Sequence, residues 1–116
     1  MEAYTRRAIA FVTGRLALGT TGTSLYDHNE RRHVHFSGTA KENTVNVFDH
    51  ERSAHITGSA SALFDHGAGG HIQLSVNGTQ FTGFDHKTGS HFQGTASGSA
   101  VNLYDHGAGA HFAYSV

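Results

Sequence analysis

The chain has no cysteine, no proline and no tryptophan, and a single methionine. The absence of cysteine excludes disulfides and thiolate metal centres, and it removes any reading of the redox compartment from thiol usage. The absence of proline leaves nothing to interrupt a hydrogen-bonded ladder, which suits continuous strand pairing. Charge of either sign is also scarce. Eight Lys and Arg stand against nine Asp and Glu, a net charge of −1, so there is no general basic field to hold nucleic acid. Arg6 and Arg7 together make too small a patch to change that. No apolar run approaches a membrane span, and the N-terminal residues lack the apolar core and cleavage site of a signal peptide. The default expectation is a cytoplasmic location, with export by another route as the alternative. Large apolar residues are few, at 37% hydrophobic content overall. This predicts a thin core or burial between subunits.

Glycine and histidine are abundant, with 15 and 11 residues in a chain of 116. Ten of the histidines and every aspartate fall in one unit repeated five times: an aromatic residue, Asp-His, four variable residues, then His and an apolar residue. The units are Tyr26-Asp27-His28 to His33-Val34, Phe48-Asp49-His50 to His55-Ile56, Phe64-Asp65-His66 to His71-Ile72, Phe84-Asp85-His86 to His91-Phe92, and Tyr104-Asp105-His106 to His111-Phe112. Successive Asp residues are 22, 16, 20 and 20 positions apart, room for two strands and two turns per period. Each unit reads as a β-hairpin, and steps such as Asn77-Gly78 and Ser97-Gly98 read as the turns between hairpins. Asn77 also opens a glycosylation sequon, but its turn role is the simpler reading.

The fold expected is all-β: an antiparallel meander of about ten short strands, with every Asp-His tip at one end. Such a meander either closes into a barrel or curls and completes itself by oligomerising through its sheet edges. A solenoid is the competitor. Residues 23–116 form the five-hairpin domain. Residues 1–22 lie outside the repeat, and their Ile9, Val12 and Leu16 recur at helical spacing with Gly19 placed to end the helix. A short helix or an irregular first strand is expected there, with Arg6, Arg7 and Arg15 solvated.

Gly at the third variable position of the last three units suggests a three-residue loop closed by a bulge. In that register Asp85 faces His91 and Phe84 faces Phe92, so each tip carries an opposed Asp–His pair. The aromatic residues, paired with apolar partners, then belong to the core, and the first His shares their face. A symmetric four-residue loop would instead set the two His of a unit opposite each other.

Imidazole and carboxylate are ligands for Zn, Cu, Ni or Fe. The candidate metal ligands are Asp27, His28, His33, His35, Asp49, His50, His55, Asp65, His66, His71, Asp85, His86, His91, Asp105, His106 and His111. His35, the one histidine outside the repeat, forms a local His-x-His chelate with His33. A simpler role for each Asp–His pair is a hydrogen bond that orients the ring near a turn. Five equivalent copies offer no unique nucleophile, which argues against catalysis. The sequence therefore reads as a non-enzymatic structural or self-associating module with the hairpin tips as its interaction surface. The alternative is transition-metal binding (Zn, Ni or Cu) through the repeated units, and a third reading is multivalent carbohydrate binding. The histidine array also suggests assembly that changes between about pH 5 and 7.

Overall fold

The computed structural model describes residues 1–116. Helix α1 spans Ala3–Thr13 and runs into a π-helical turn, Gly14–Leu18, which ends at Gly19 in the left-handed conformation. Ten strands follow: β1 (Ser24–Asp27), β2 (Arg32–Lys41), β3 (Thr44–Asp49), β4 (Ala54–Ser59), β5 (Ala62–Asp65), β6 (Gly70–Asn77), β7 (Gln80–Asp85), β8 (Ser90–Ser97), β9 (Ala100–Asp105) and β10 (Ala110–Ser115). Each pairs antiparallel with its neighbours in sequence, and β1 pairs with β10, so the meander closes into a barrel. Closure abolishes the free edges through which oligomerisation was expected.

The closing seam is short, with only Tyr26↔Ser115 and Asp27↔Tyr114 in register. The side chain of Asn29 extends it. Its amide nitrogen donates to the carbonyl of Ala113 at 3.3 Å and its oxygen accepts from the Ala113 N–H at 3.2 Å, so a side chain does the work of one more ladder residue.

The core consists of the barrel's inner wall and the helix inside it. A barrel's diameter grows with strand number, and eight strands leave an interior that side chains alone can fill. Ten leave more room, and here the helix occupies it. Ala8, Ile9, Ala10, Phe11 and Val12 are consecutive and each at most 1% exposed. Five residues in a row can be covered only if the helix is surrounded on every side. The ring of Phe11 stacks on Phe36 of β2 with centroids 4.8 Å apart. Lining the inner wall around the helix are Leu25, Val47, Leu63, Ile72, Phe81 and Leu103, among others. This explains how so few large apolar residues suffice. The N-terminal segment is the centre of the core, and its arginines are not solvated as expected. Arg7 is buried among carboxylates.

All five hairpins share one turn, and it differs from both registers drawn from the sequence. The loop is the four residues following Asp, such as His86–Gly89, and Asp85 faces Ser90 while Phe84 faces His91. The cause is the Asp itself. Asp65 Oδ1 accepts the N–H groups of Gly67 and Ala68 at 3.0 and 3.1 Å, and its carbonyl accepts from Gly69. Asp27, Asp49 and Asp105 capture their own two amides in the same way, and Asp85 accepts from Lys87 N and from the Thr88 hydroxyl. A carboxylate that binds amides two and three residues on starts the turn at itself, leaving the fourth loop residue in the left-handed region.

That residue is Gly in three units but Arg31 (φ 57°) and Ser53 (φ 51°) in the first two. Side chains are strained there. Ser53→Gly is expected to stabilise the protein by about 0.5–1 kcal/mol, the relief exceeding the added freedom of the unfolded chain. A urea midpoint that rises with unchanged slope is the check.

Candidate functional site

The turn register sends the three chemical groups of each unit to opposite sides of the barrel wall. Because strand residues alternate faces, Asp points inward with Leu103 and its equivalents, and the aromatic residue before it points outward. Asp27, Asp49, Asp65, Asp85 and Asp105 are each at most 3% exposed and ring the mouth where α1 begins. Both histidines of every unit lie on the outside and are exposed. The opposed Asp–His pairs expected from the sequence therefore do not form.

Inside the mouth, cations meet the carboxylates. Arg52 forms a two-pronged pair with Asp65, both contacts 3.0 Å, and reaches Asp49 at 2.7 Å. Its guanidinium also lies 4.4 Å from the centre of the Tyr4 ring, tying the helix to the rim. Arg7 bridges Asp27, Glu30 and Glu51. Arg6 and the Met1 amino nitrogen lie 3.1 and 3.0 Å from Asp105 Oδ2. The positive end of the helix dipole faces the same ring, a further favourable term of about 0.3–1 kcal/mol. Across the seam, burial pushes the Tyr114 phenol up to about 12, with the Asp27 charge adding to the effect.

Burial by itself would raise the Asp105 carboxyl, but the Met1 ammonium and Arg6 more than offset this and hold it below its ordinary value. A carboxyl depressed in the folded state contributes stability above its unfolded value near about pH 4, and that contribution is lost as pH falls through the depressed value. Arg6→Gln is expected to be less stable than wild type at neutral pH, with the gap narrowing as the pH is lowered toward about 2. Urea unfolding at several pH values measures it. A gap that does not change with pH would assign the loss to the packing of Arg6 on Phe112, where guanidinium and ring are 3.8 Å apart.

Outside, the aromatic residues are not core. Tyr26, Phe48, Phe64, Phe84 and Tyr104 are half-buried on the outer wall, each in contact with both histidines of its unit. Ring centroids lie 4.5–4.9 Å apart at interplanar angles of 58–85° in all five units. Edge-to-face packing of this kind is favourable for aromatic rings. The five clusters form a belt around the barrel near the Asp mouth. Apart from the belt, the outer face of the strands is mainly hydroxyl and amide side chains, where a lipid-facing barrel would carry an apolar band. No helix is long and apolar enough to cross a membrane.

The belt is not uniform. In the first three units the first histidine is tied to a hydroxyl on the neighbouring strand: His28 to Ser115 across the closing seam at 2.7 Å, His50 to Ser37 at 2.8 Å, and His66 to Thr57 at 2.9 Å. In the last two units the matching positions, opposite Phe84 and Tyr104, are Gln73 and Gln93. No such bond is made there. His33 accepts or donates one bond, to Ser24 at 3.1 Å, and His35 is exposed on the same face of β2.

Nowhere do three His, Asp or Glu side chains come together in a way that could hold a metal ion. The wall separates each Asp from its histidines, and both histidines of a unit are engaged with the same aromatic ring. The conspicuous signal missed in the sequence was Asp-x-x-x-Gly, the spacing of an Asp-started turn. No protein family, curated protein or solved structure matches the chain.

Proposed function

We propose that the chain is a non-enzymatic, self-associating module whose contact surface is the belt of five His–aromatic–His clusters. The observation that carries this reading is the five-fold repetition of one exposed, half-apolar cluster around a closed barrel. One copy then offers several equivalent contacts, and linked weak contacts gain strength without any single strong one. The five Asp carboxylates are committed to turns and ion pairs inside the mouth, so the chemistry left at the surface is that of the imidazoles and rings.

Imidazole as a class gains charge between about pH 8 and 5. No belt histidine is ion-paired with a carboxylate; the charged side chains at the hairpin tips besides the buried Asp residues are Glu30, Arg31, Glu51, Arg52 and Lys87 on the loops and Arg32 at the start of β2, and Arg52 lines a hollow with His55 and His66. Association through the belt should therefore weaken in acid as like charges gather. Native mass spectrometry of chelator-free, untagged protein, with sedimentation at neutral pH and near about pH 5, tests this. The expected result is a discrete oligomer at neutral pH that dissociates in acid, and that is lost when His71, His91 and His111 are changed to Asn. A monomer at every concentration and pH overturns the reading. The exposed His33–His35 pair favours a second reading, transition-metal binding. A whole-number metal content in the same spectra, lost in His35→Asn, would support it.

A further inference from the structure

The outer wall over β6–β9 carries two adjoining hollows, of about 660 and about 360 Å³, that share Thr82 and Gln93. The larger is within the size range of small-molecule sites. Their floors are apolar: Gly83 and Phe92 in the first, Gly94 and Phe81 in the second. The glycines are required by close approach, since a Cβ on Gly83 would lie 2.2 Å from the Phe92 ring and one on Gly94 2.6 Å from the Phe81 ring. Their rims are amides and hydroxyls, including Gln73, Gln80, Thr95 and Asn102, together with the rings of Phe84 and Tyr104 and the imidazoles of His91, His106 and His111. No Lys, Arg, Asp or Glu lines either hollow.

The hollows coincide with the break in the repeat. Where the first three units spend a hydroxyl on the first histidine, the last two place Gln73 and Gln93, whose side chains form no hydrogen bond within the protein and border the larger hollow. Each amide offers both donors and an acceptor. A ligand suited to this surface has many groups that donate and accept, no charge, and apolar C–H faces to lie on rings. Those are the features of a neutral saccharide.

We infer that the β6–β9 wall is a binding site for a neutral oligosaccharide, with Gln73 and Gln93 as its principal hydrogen-bonding residues and Phe84 and Tyr104 as flanking apolar surfaces. The site is single and lies where the repeat is broken, so it differs from equivalent binding at all five tips. It also goes beyond self-association and stands if that reading fails.

The test is amide-shift NMR of ¹⁵N-labelled protein titrated with malto-, cello- and N-acetylglucosamine hexasaccharides, on wild type, Gln73→Ala/Gln93→Ala and Ser37→Ala. Shifts confined to β6–β9 with at least one saccharide are expected, with affinity reduced at least about tenfold in the double glutamine variant and unchanged in Ser37→Ala. Thermal melts of the variants establish that they are folded. The inference is overturned if none of the three saccharides shifts these strands, if the double variant binds as wild type does, or if all five units shift alike.

Discussion

Replacing Phe11 with alanine is expected to cost about 3–5 kcal/mol, the range for deleting a buried aromatic side chain. For a domain whose total stability is of the order of 5–15 kcal/mol, that is a large fraction. The upper half of the range is expected because the site cannot collapse. Phe11 lies between the stacked ring of Phe36 and the guanidinium of Arg15, 4.6 Å from its centre. It is carried on a helix enclosed by a ring of strands, each held by its neighbours on both sides. A cavity in the lumen cannot be filled by moving one strand inward without breaking two ladders. Chemical denaturation of the variant measures the loss. A cost below about 1 kcal/mol, the level of a surface change, would mean that the helix is not a structural part of the barrel core.

Arg52→Met should cost about 3–5 kcal/mol, the penalty for removing one partner from a buried ion pair. The residue serves two buried carboxylates at once, and Asp49 and Asp65 are 2% and 1% exposed. Methionine retains the packing against Tyr4 and Asp65 loses both of its guanidinium contacts. The two carboxylates then repel each other at a rim only partly open to water, where Arg52 itself is 15% exposed. Adding Asp65→Asn to Arg52→Met should recover part of the loss, because an amide removes one uncompensated charge, although it gives up the charged acceptor for the Gly67 and Ala68 amides. Denaturation of the two single variants and the double variant gives the coupling. If the double variant is worse by the sum of the single losses, the guanidinium acts through packing and the charge argument fails.

Much of the architecture is legible in the sequence. The five-fold unit, its turn residues and the lack of proline specified ten antiparallel strands with all Asp-His tips at one end. Ile9, Val12 and Leu16 left a short helix or an irregular first strand as the expectation, and the structure has the helix, from Ala3 through the π-helical turn to Leu18. What misled was the turn. Glycine at three tips pointed to a bulged three-residue loop, but the Asp carboxylate captures amides further along the loop and lengthens it by one residue. In a strand, one residue of register exchanges the two faces. That single step moved Tyr26, Phe48, Phe64, Phe84 and Tyr104 from the expected core to the outer wall, and it placed each Asp on the far side of the wall from its histidines.

The sequence by itself determined the period, the strand count and the position of every tip, because these depend on local patterns of side chains along the chain. Whether the meander closed, and what lay inside it, was a matter of tertiary structure. Closure depends on β1 meeting β10 through the Tyr26↔Ser115 and Asp27↔Tyr114 pairs, extended by Asn29 and Ala113 across 84 residues, and no local pattern reports such a meeting. The filling of the lumen by residues 3–18 is likewise a question of volume. A ten-strand wall with few large apolar residues cannot fill its own interior, and the apolar, otherwise unpaired N-terminal helix supplies the missing side chains. Arg6 and Arg7 then find the carboxylate ring at the mouth, an arrangement fixed by where the helix enters the barrel.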